Sequence, residues 1–191
     1  MRIRSFALLS LLSILFASCT FSKQTIAPLQ KPEYRAVWVD SWNEGFLTRK
    51  QAEELVNTCR SANINTIMVE VRKVGDACYQ SSLEPKATNV AEGYDPLKNL
   101  IDLAHDTSKG KKYIHVHAWF VMHRIHKTSM KLPKKHILSL RSDLAMQNRK
   151  GEKVAEGNMY LDPGHPGTVD HNVAVILDCL KKYDIDGVNL D

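Results

Sequence analysis

From Tyr34 to Asp191, short apolar or β-branched runs alternate with segments of helical period, and each of these runs closes on polar side chains. Such alternation is the mark of βα units built on a parallel sheet. The strand-like runs are YRAVWVD (34–40), NTIMVEVR (65–72), KYIHVHAWF (112–120) and DGVNLD (186–191). Alternate residues of a strand face opposite sides of its sheet. The first run therefore sets Ala36, Trp38 and Asp40 against Val37 and Val39, and the second sets Met68, Glu70 and Arg72 against Ile67, Val69 and Val71. The third sets His115, His117 and Trp119 against Ile114, Val116 and Ala118; the fourth sets Asn189 and Asp191 against Val188 and Leu190. In all four the polar phase gathers at the C-terminal end, where a parallel barrel keeps its substrate loops.

Helices are expected between these strands. Thr48 can cap the first while Gln51 reaches back as in a capping box, and Ala52, Leu55, Val56 and Cys59 form one apolar stripe ending near Ala62. Pro96 stands at the first turn of the second, which runs to about His105. Val169, Val173, Ile176, Leu177 and Leu180 space a third over 166–182. Between 120 and 166 the chain is basic and irregular, with a short helix or strand expected within SLRSDLAMQN (139–148). The expected fold is α/β, the N-terminal half of a (β/α)8 TIM-like barrel cut after its fourth strand. A complete barrel needs about 250 residues, so the chain reads as a fragment of a longer product.

Residues 1–18 read as an export signal. Arg2 and Arg4 precede an apolar run from Phe6 to Phe16 that is too short to span a bilayer, and Ala17, Ser18 and Cys19 then fit a lipoprotein cleavage site with lipid on the Cys19 thiol. Residues 19–33 follow as a tether, and 34–191 as the folded domain. Thr20 carries no acidic retention signal, which points to an outer-membrane lipoprotein facing the periplasm. Loss of Arg2 and Arg4 lowers the formal charge from +5 to +3, too modest an excess to call for nucleic acid as a partner. The lysines of KGKK (109–112) and KLPKK (131–135) read as solvated loops and a helix edge. Cys59, Cys78 and Cys179 form no CxxC pair, so neither a zinc site nor a disulfide framework is indicated.

The inward polar residues have the composition of a sugar site. Asp40, Glu70, Arg72, His117, Trp119 and Asn189 are the expected substrate ligands, with His165 of DPGHPG (162–167) either lining the pocket or serving its loop. Three alternatives stand beside these roles: a Glu70–Arg72 ion pair, Asp40 as a loop cap, and Trp38 as core. His115 and His117 are two apart on a strand and can in principle share a metal, but metal-dependent barrels usually carry such a pair on their first strand and this one is on the third, so neither a metal nor another cofactor is expected. Asp191 is the catalytic candidate, because an acid at the end of a fourth barrel strand suits glycosidic acid/base chemistry, which requires a second carboxylate.

The segments YRAVWVDSW (34–42), VEVRKVGDACYQSSLEP (69–85), HVHAWF (115–120), YLDPGHPG (160–167) and YDIDGVNLD (183–191) resemble, in order and context, the bacterial glycosyl hydrolase-like family 10. The resemblance covers Tyr34 to Asp191. It implies a (β/α)8-like barrel in an exported, often lipid-anchored protein. Some members are similar to peptidoglycan glycan hydrolases that act on strands free of stem peptides. The family pattern continues past the position of Asp191 with a second aspartate and an aromatic residue, and it commonly has proline where Lys73 stands. The implied activity is hydrolysis of O-glycosidic bonds in cell-wall glycan. The competing expectation is a surface lipoprotein that binds glycan without cutting it. A doubly wound binding protein finds no glycine-rich phosphate loop to support it.

Overall fold

The alternating runs become β1 (Ala36–Val39), β2 (Thr66–Arg72) and β3 (His115–Phe120), with α1 (Arg49–Ser61) and α2 (Pro96–His105) between them. The excursion follows as β4 (Arg124–Lys127), α3 (Ile137–Leu140), β5 (Val154–Ala155) and β6 (Asn158–Tyr160), before α4 (Pro166–Leu180) and β7 (Gly187–Leu190). The computed structural model describes residues 33–191, so the expected signal, the Cys19 lipidation site and the tether lie outside the described residues.

β1, β2, β3 and β7 lie side by side in that order, all parallel. Glu70, Trp119 and Asn189 share one rung across three strands. Their outward phase supplies the core: Ile67, Val69, Val116 and Ala118 have no exposed surface and pack beneath Ala52 and Val56 of α1 and Leu97, Leu100 and Ala104 of α2. Each fully buried Val, Leu or Ile contributes roughly 1.5–3 kcal/mol. The inward phase stays open, since four strands close only part of a cylinder, and Trp38 is 56% exposed.

Local signals set the helix ends. Thr48 accepts from Gln51 N while the Gln51 side chain accepts from Thr48 N, completing the capping box, and Asp95 caps α2 ahead of Pro96. α4 forms where its spacing predicts but turns the other way. Thr168, Asn172, Val175 and Cys179 are buried, whereas Val169, Val173, Leu177 and Leu180 are exposed. α4 is apolar on two sides, and only one of them meets the sheet. The other side shares its exposure with Val188 and Leu190 of β7.

The stretch expected to be irregular is ordered. β4, β6 and β5 make a small antiparallel sheet with its own core of Ile125, Leu138, Leu144, Ala145 and Leu161. Fully buried His136 ties it to the loop after β2: Nδ1 accepts from Leu138 N, and Nε2 lies 2.8 Å from Ile125 O and 3.2 Å from Val74 O. A side chain at Gly75 would collide with that imidazole, and its φ of 69° suits glycine.

Candidate functional site

The C-terminal end of the sheet carries the chemistry. Asp191 leaves β7 with its own N–H donating to Phe120 O (3.0 Å) and its carbonyl accepting from Met122 N (2.7 Å), so its backbone is fixed against the end of β3. Trp119 Nε1 donates to Asp191 Oδ2 at 3.2 Å, and the Trp38 ring meets Trp119 edge-on at 5.1 Å. Asp191 lines an open cleft of about 310 Å³ with Val121, His123, Arg124 and Tyr160. Asn189, half-buried, stands opposite Trp119 on the neighbouring strand.

Across the sheet, Glu70 is 1% exposed and its Oε2 accepts from Ser41 N (2.8 Å) and Ser41 Oγ (2.7 Å). Burial pushes its carboxyl up; the Ser41 bonds and Lys73 pull down, nearby Asp40 pushes up, and the net shift is upward. Asp40 is shifted the other way. Burial opposes its charge, but Asn43 and the amides of Trp42 and Asn43 outweigh that and hold it below the usual carboxylate range. Asp40 therefore caps the turn after β1, the role weighed beside sugar binding. The two carboxyls are therefore shifted in opposite directions, Glu70 up and Asp40 down.

Arg72 does not reach this rim. The ladder slips by one residue between Glu70 and Arg72, so Arg72 lies opposite Phe120 and leaves the phase that strict alternation assigns to it. It is fully buried, with Nε and Nη2 donating to Glu84 at 2.7–2.9 Å and Nη1 donating to Val121 O and Met122 O. His171 of α4 approaches Glu84 at 3.2 Å. The Glu70–Arg72 pair is absent because Glu84 takes the guanidinium. Arg72 thus fastens the loop after β2 and α4 to the backbone that precedes the cleft.

His165 caps α4, its Nδ1 accepting from Gly167 N at 3.0 Å, and lies 3.7 Å from Asp143, so the loop role describes its contacts. His117 lies on the inner face one alternation below Trp119, where its ring abuts Gly187 and meets Tyr34 edge-on. His115 points to Asp186 at 3.2 Å. Among the described residues no group of three His, Cys, Asp or Glu side chains could hold a metal ion. The structure thus brings Asp40, Glu70, Trp119, Asn189 and Asp191 to the upper inner face, leaves His117 deeper, and sets Arg72 and His165 into structural contacts.

Several rim residues escaped the strand periodicity. Trp42, 41% exposed after β1, has Lys73 Nζ at 5.3 Å and Lys127 Nζ at 5.4 Å from its ring. Lys73 is itself buried and bonded to Asn89 Oδ1 (2.8 Å), with Asp76 at 3.3 Å. His123, Arg124 and Tyr160 come from the excursion; the available signal was their place directly after or paired with a strand end.

The model of the family described as Glycosyl hydrolase-like 10 matches residues 33–191. The chain belongs to that family. It is 29% identical to glycosyl hydrolase YngK of Bacillus subtilis over 95% of this chain and 37% of that protein. It is 26% identical to glycosyl hydrolase DigH of Escherichia coli K12 over 87% of this chain and 39% of that protein. The chain therefore spans less than two-fifths of these relatives. In structure it is similar to a hypothetical protein from Ruminiclostridium thermocellum (TM-score 0.60, 16% identity, 81% of this chain and 75% of that one). It also resembles the α-galactosidase TtGalA of Thermus thermophilus (TM-score 0.53, 14% identity, 84% of this chain and 31% of that one). The fold is a parallel α/β half-barrel that matches only part of a TIM-barrel chain.

Proposed function

We propose that residues 34–191 form one side of the catalytic mouth of a glycoside hydrolase that cleaves O-glycosidic bonds in cell-wall, peptidoglycan-type glycan strands, with Asp191 as an acid/base carboxylate. The observation that carries this reading is the Trp119 indole bonded to the Asp191 carboxylate at the edge of an open cleft. Indole faces suit the apolar side of a pyranose, and carboxylates and amides suit its hydroxyls. The N-terminal pattern supports a lipid anchor at Cys19 and an outer-membrane site facing the periplasm, within reach of the wall.

The test is a digest of peptide-free glycan strands by the protein beside Asp191→Asn, followed as new reducing ends. Positioned acid/base catalysis contributes roughly 10²–10⁴ in rate, and the variant is expected to lose a factor in that range. Equal rates would remove Asp191 from the chemistry. One observation favours glycan binding without cleavage: Asp40 is engaged in its turn and Glu70 is held by Ser41, leaving Asp191 without a free partner carboxylate among the described residues. Strands retained without new reducing ends would select that reading.

A further inference from the structure

Arg124 stands apart from the other arginines that meet the protein interior. Arg60 donates to the backbone carbonyls of Leu103, Ala104, Asp106 and Lys112, Arg72 grips Glu84, and exposed Arg141 pairs with Asp143. The half-buried Arg124 side chain has no hydrogen bond or ion pair among the described residues, and its Nε is buried without any acceptor. An orphaned buried donor is costly and calls for a partner. The residue is also held in place: Arg124 pairs with Tyr160 across β4 and β6, and Leu161 N donates to His123 O at 2.8 Å. Arg124 and Tyr160 line the same cleft as Asp191, yet the guanidinium and that carboxylate form no ion pair. An open cleft thus holds, on one wall, a cation with unused donors carried by a backbone that is held in place, and the candidate acid on another.

From this we infer that Arg124 is a substrate-binding residue that takes a carboxylate carried on a sugar ring of the glycan in the Asp191 cleft. The inference rests on the glycan reading above and adds to it a requirement for an acidic sugar. The guanidinium fork matches the two oxygens of a carboxylate. A singly charged carboxylate fits better than a phosphate because Asp191 shares the cleft and repels the denser charge more strongly. The acidic group could be the lactyl ether of a peptide-free wall glycan or the C6 carboxylate of a uronic acid. These share one chemistry and differ in reach.

The experiment is a calorimetric titration of the full chain with three probes. They are peptide-free peptidoglycan strands with free lactyl carboxylates, the same strands after reduction of those carboxylates to alcohols, and an oligogalacturonate. Wild-type protein is expected to bind the first about tenfold more tightly than the second, the scale of one charge-assisted bidentate contact partly screened by water. Arg124→Gln should bring the two affinities together, and Arg124→Lys should restore part of the difference. Tight, Arg124-dependent binding of the oligogalacturonate would assign the carboxylate to a uronic acid. Equal wild-type affinity for native and reduced strands, together with no binding of the oligogalacturonate, overturns the inference and needs no variant to fold. So does a preference that survives in Arg124→Gln. If none of the three probes binds and no strand is cut, the glycan reading fails and this inference with it, a result distinct from equal binding of native and reduced strands.

Discussion

Replacing Glu84 by leucine should destabilise the domain by about 3–5 kcal/mol, because it strips the counter-charge from a guanidinium that has no route to water. Arg72 is 0% and Glu84 3% exposed. Glu84 receives both Nε and Nη2 of Arg72 at 2.7–2.9 Å, and His171 also approaches it. Without the carboxylate, Arg72 keeps only the carbonyls of Val121 and Met122, and its charge stays uncompensated. The loss is a large share of the roughly 5–15 kcal/mol that holds a typical domain together. Urea unfolding, followed by the fluorescence of Trp38, Trp42 and Trp119, measures it. The double variant Arg72→Met, Glu84→Leu removes both charges and should be more stable than Glu84→Leu alone, with a coupling of about 1–3 kcal/mol. Acid supplies an independent check. Burial raises the Glu84 carboxyl, but Arg72 and His171 outweigh it and hold the group below its ordinary value. The pair's contribution is therefore present above the ordinary carboxylate range and is lost as pH falls through the lowered value. The reasoning is refuted if Glu84→Leu costs less than about 1 kcal/mol or if the two substitutions add without coupling.

Gly187→Ala would place a methyl 2.7 Å from the His117 ring and should cost about 1–3 kcal/mol in urea unfolding; an unchanged midpoint would show that the ring has room to move. Asp186 is raised by burial but held low overall by Val116 N–H, Tyr113, His105 and His115, so its contribution is present above the ordinary carboxylate range and lost as pH falls. Asp186→Asn should therefore lower stability at neutral pH and flatten the acid limb, and an unaltered limb would contradict this. Cys78 has no exposed surface and its thiol is pushed up to about 12, chiefly by burial. At pH 8 it should react with a disulfide reagent only as fast as the domain unfolds, read by site-resolved mass spectrometry; rapid labelling of the native protein would be the contrary result.

Where period and capping chemistry agree, the fold was legible. Thr48 with Gln51 and Pro96 after Asp95 located α1 and α2, and four alternating runs located the parallel strands. Arg72 departs from the expected inner face because alternation presumes an unbroken ladder, and the slip after Glu70 depends on the β3 partner strand. The spacing that revealed α4 lies on its exposed side, because hydrophobic spacing alone does not say which of two apolar sides of a helix meets the sheet. β4, β5 and β6 are two to four residues long, too short for any period, and their sheet exists through pairing and the anchor at His136. At the site, Asp191, Trp119 and Asn189 could be read from strand ends. Arg124 could not, because its significance lies in a missing partner, which only coordinates reveal.

In the function proposed above, glycan sits on the upper inner face of the sheet, around Asp191. Amide hydrogen exchange of the chain with and without peptide-free glycan strands tests it most directly. Slower exchange is predicted at 119–124 and 187–191 and in the turn after β1, with no change in α1 or α2. Protection confined to the helices, or to the N-terminal end of the sheet around Tyr113 and Asp186, would contradict it.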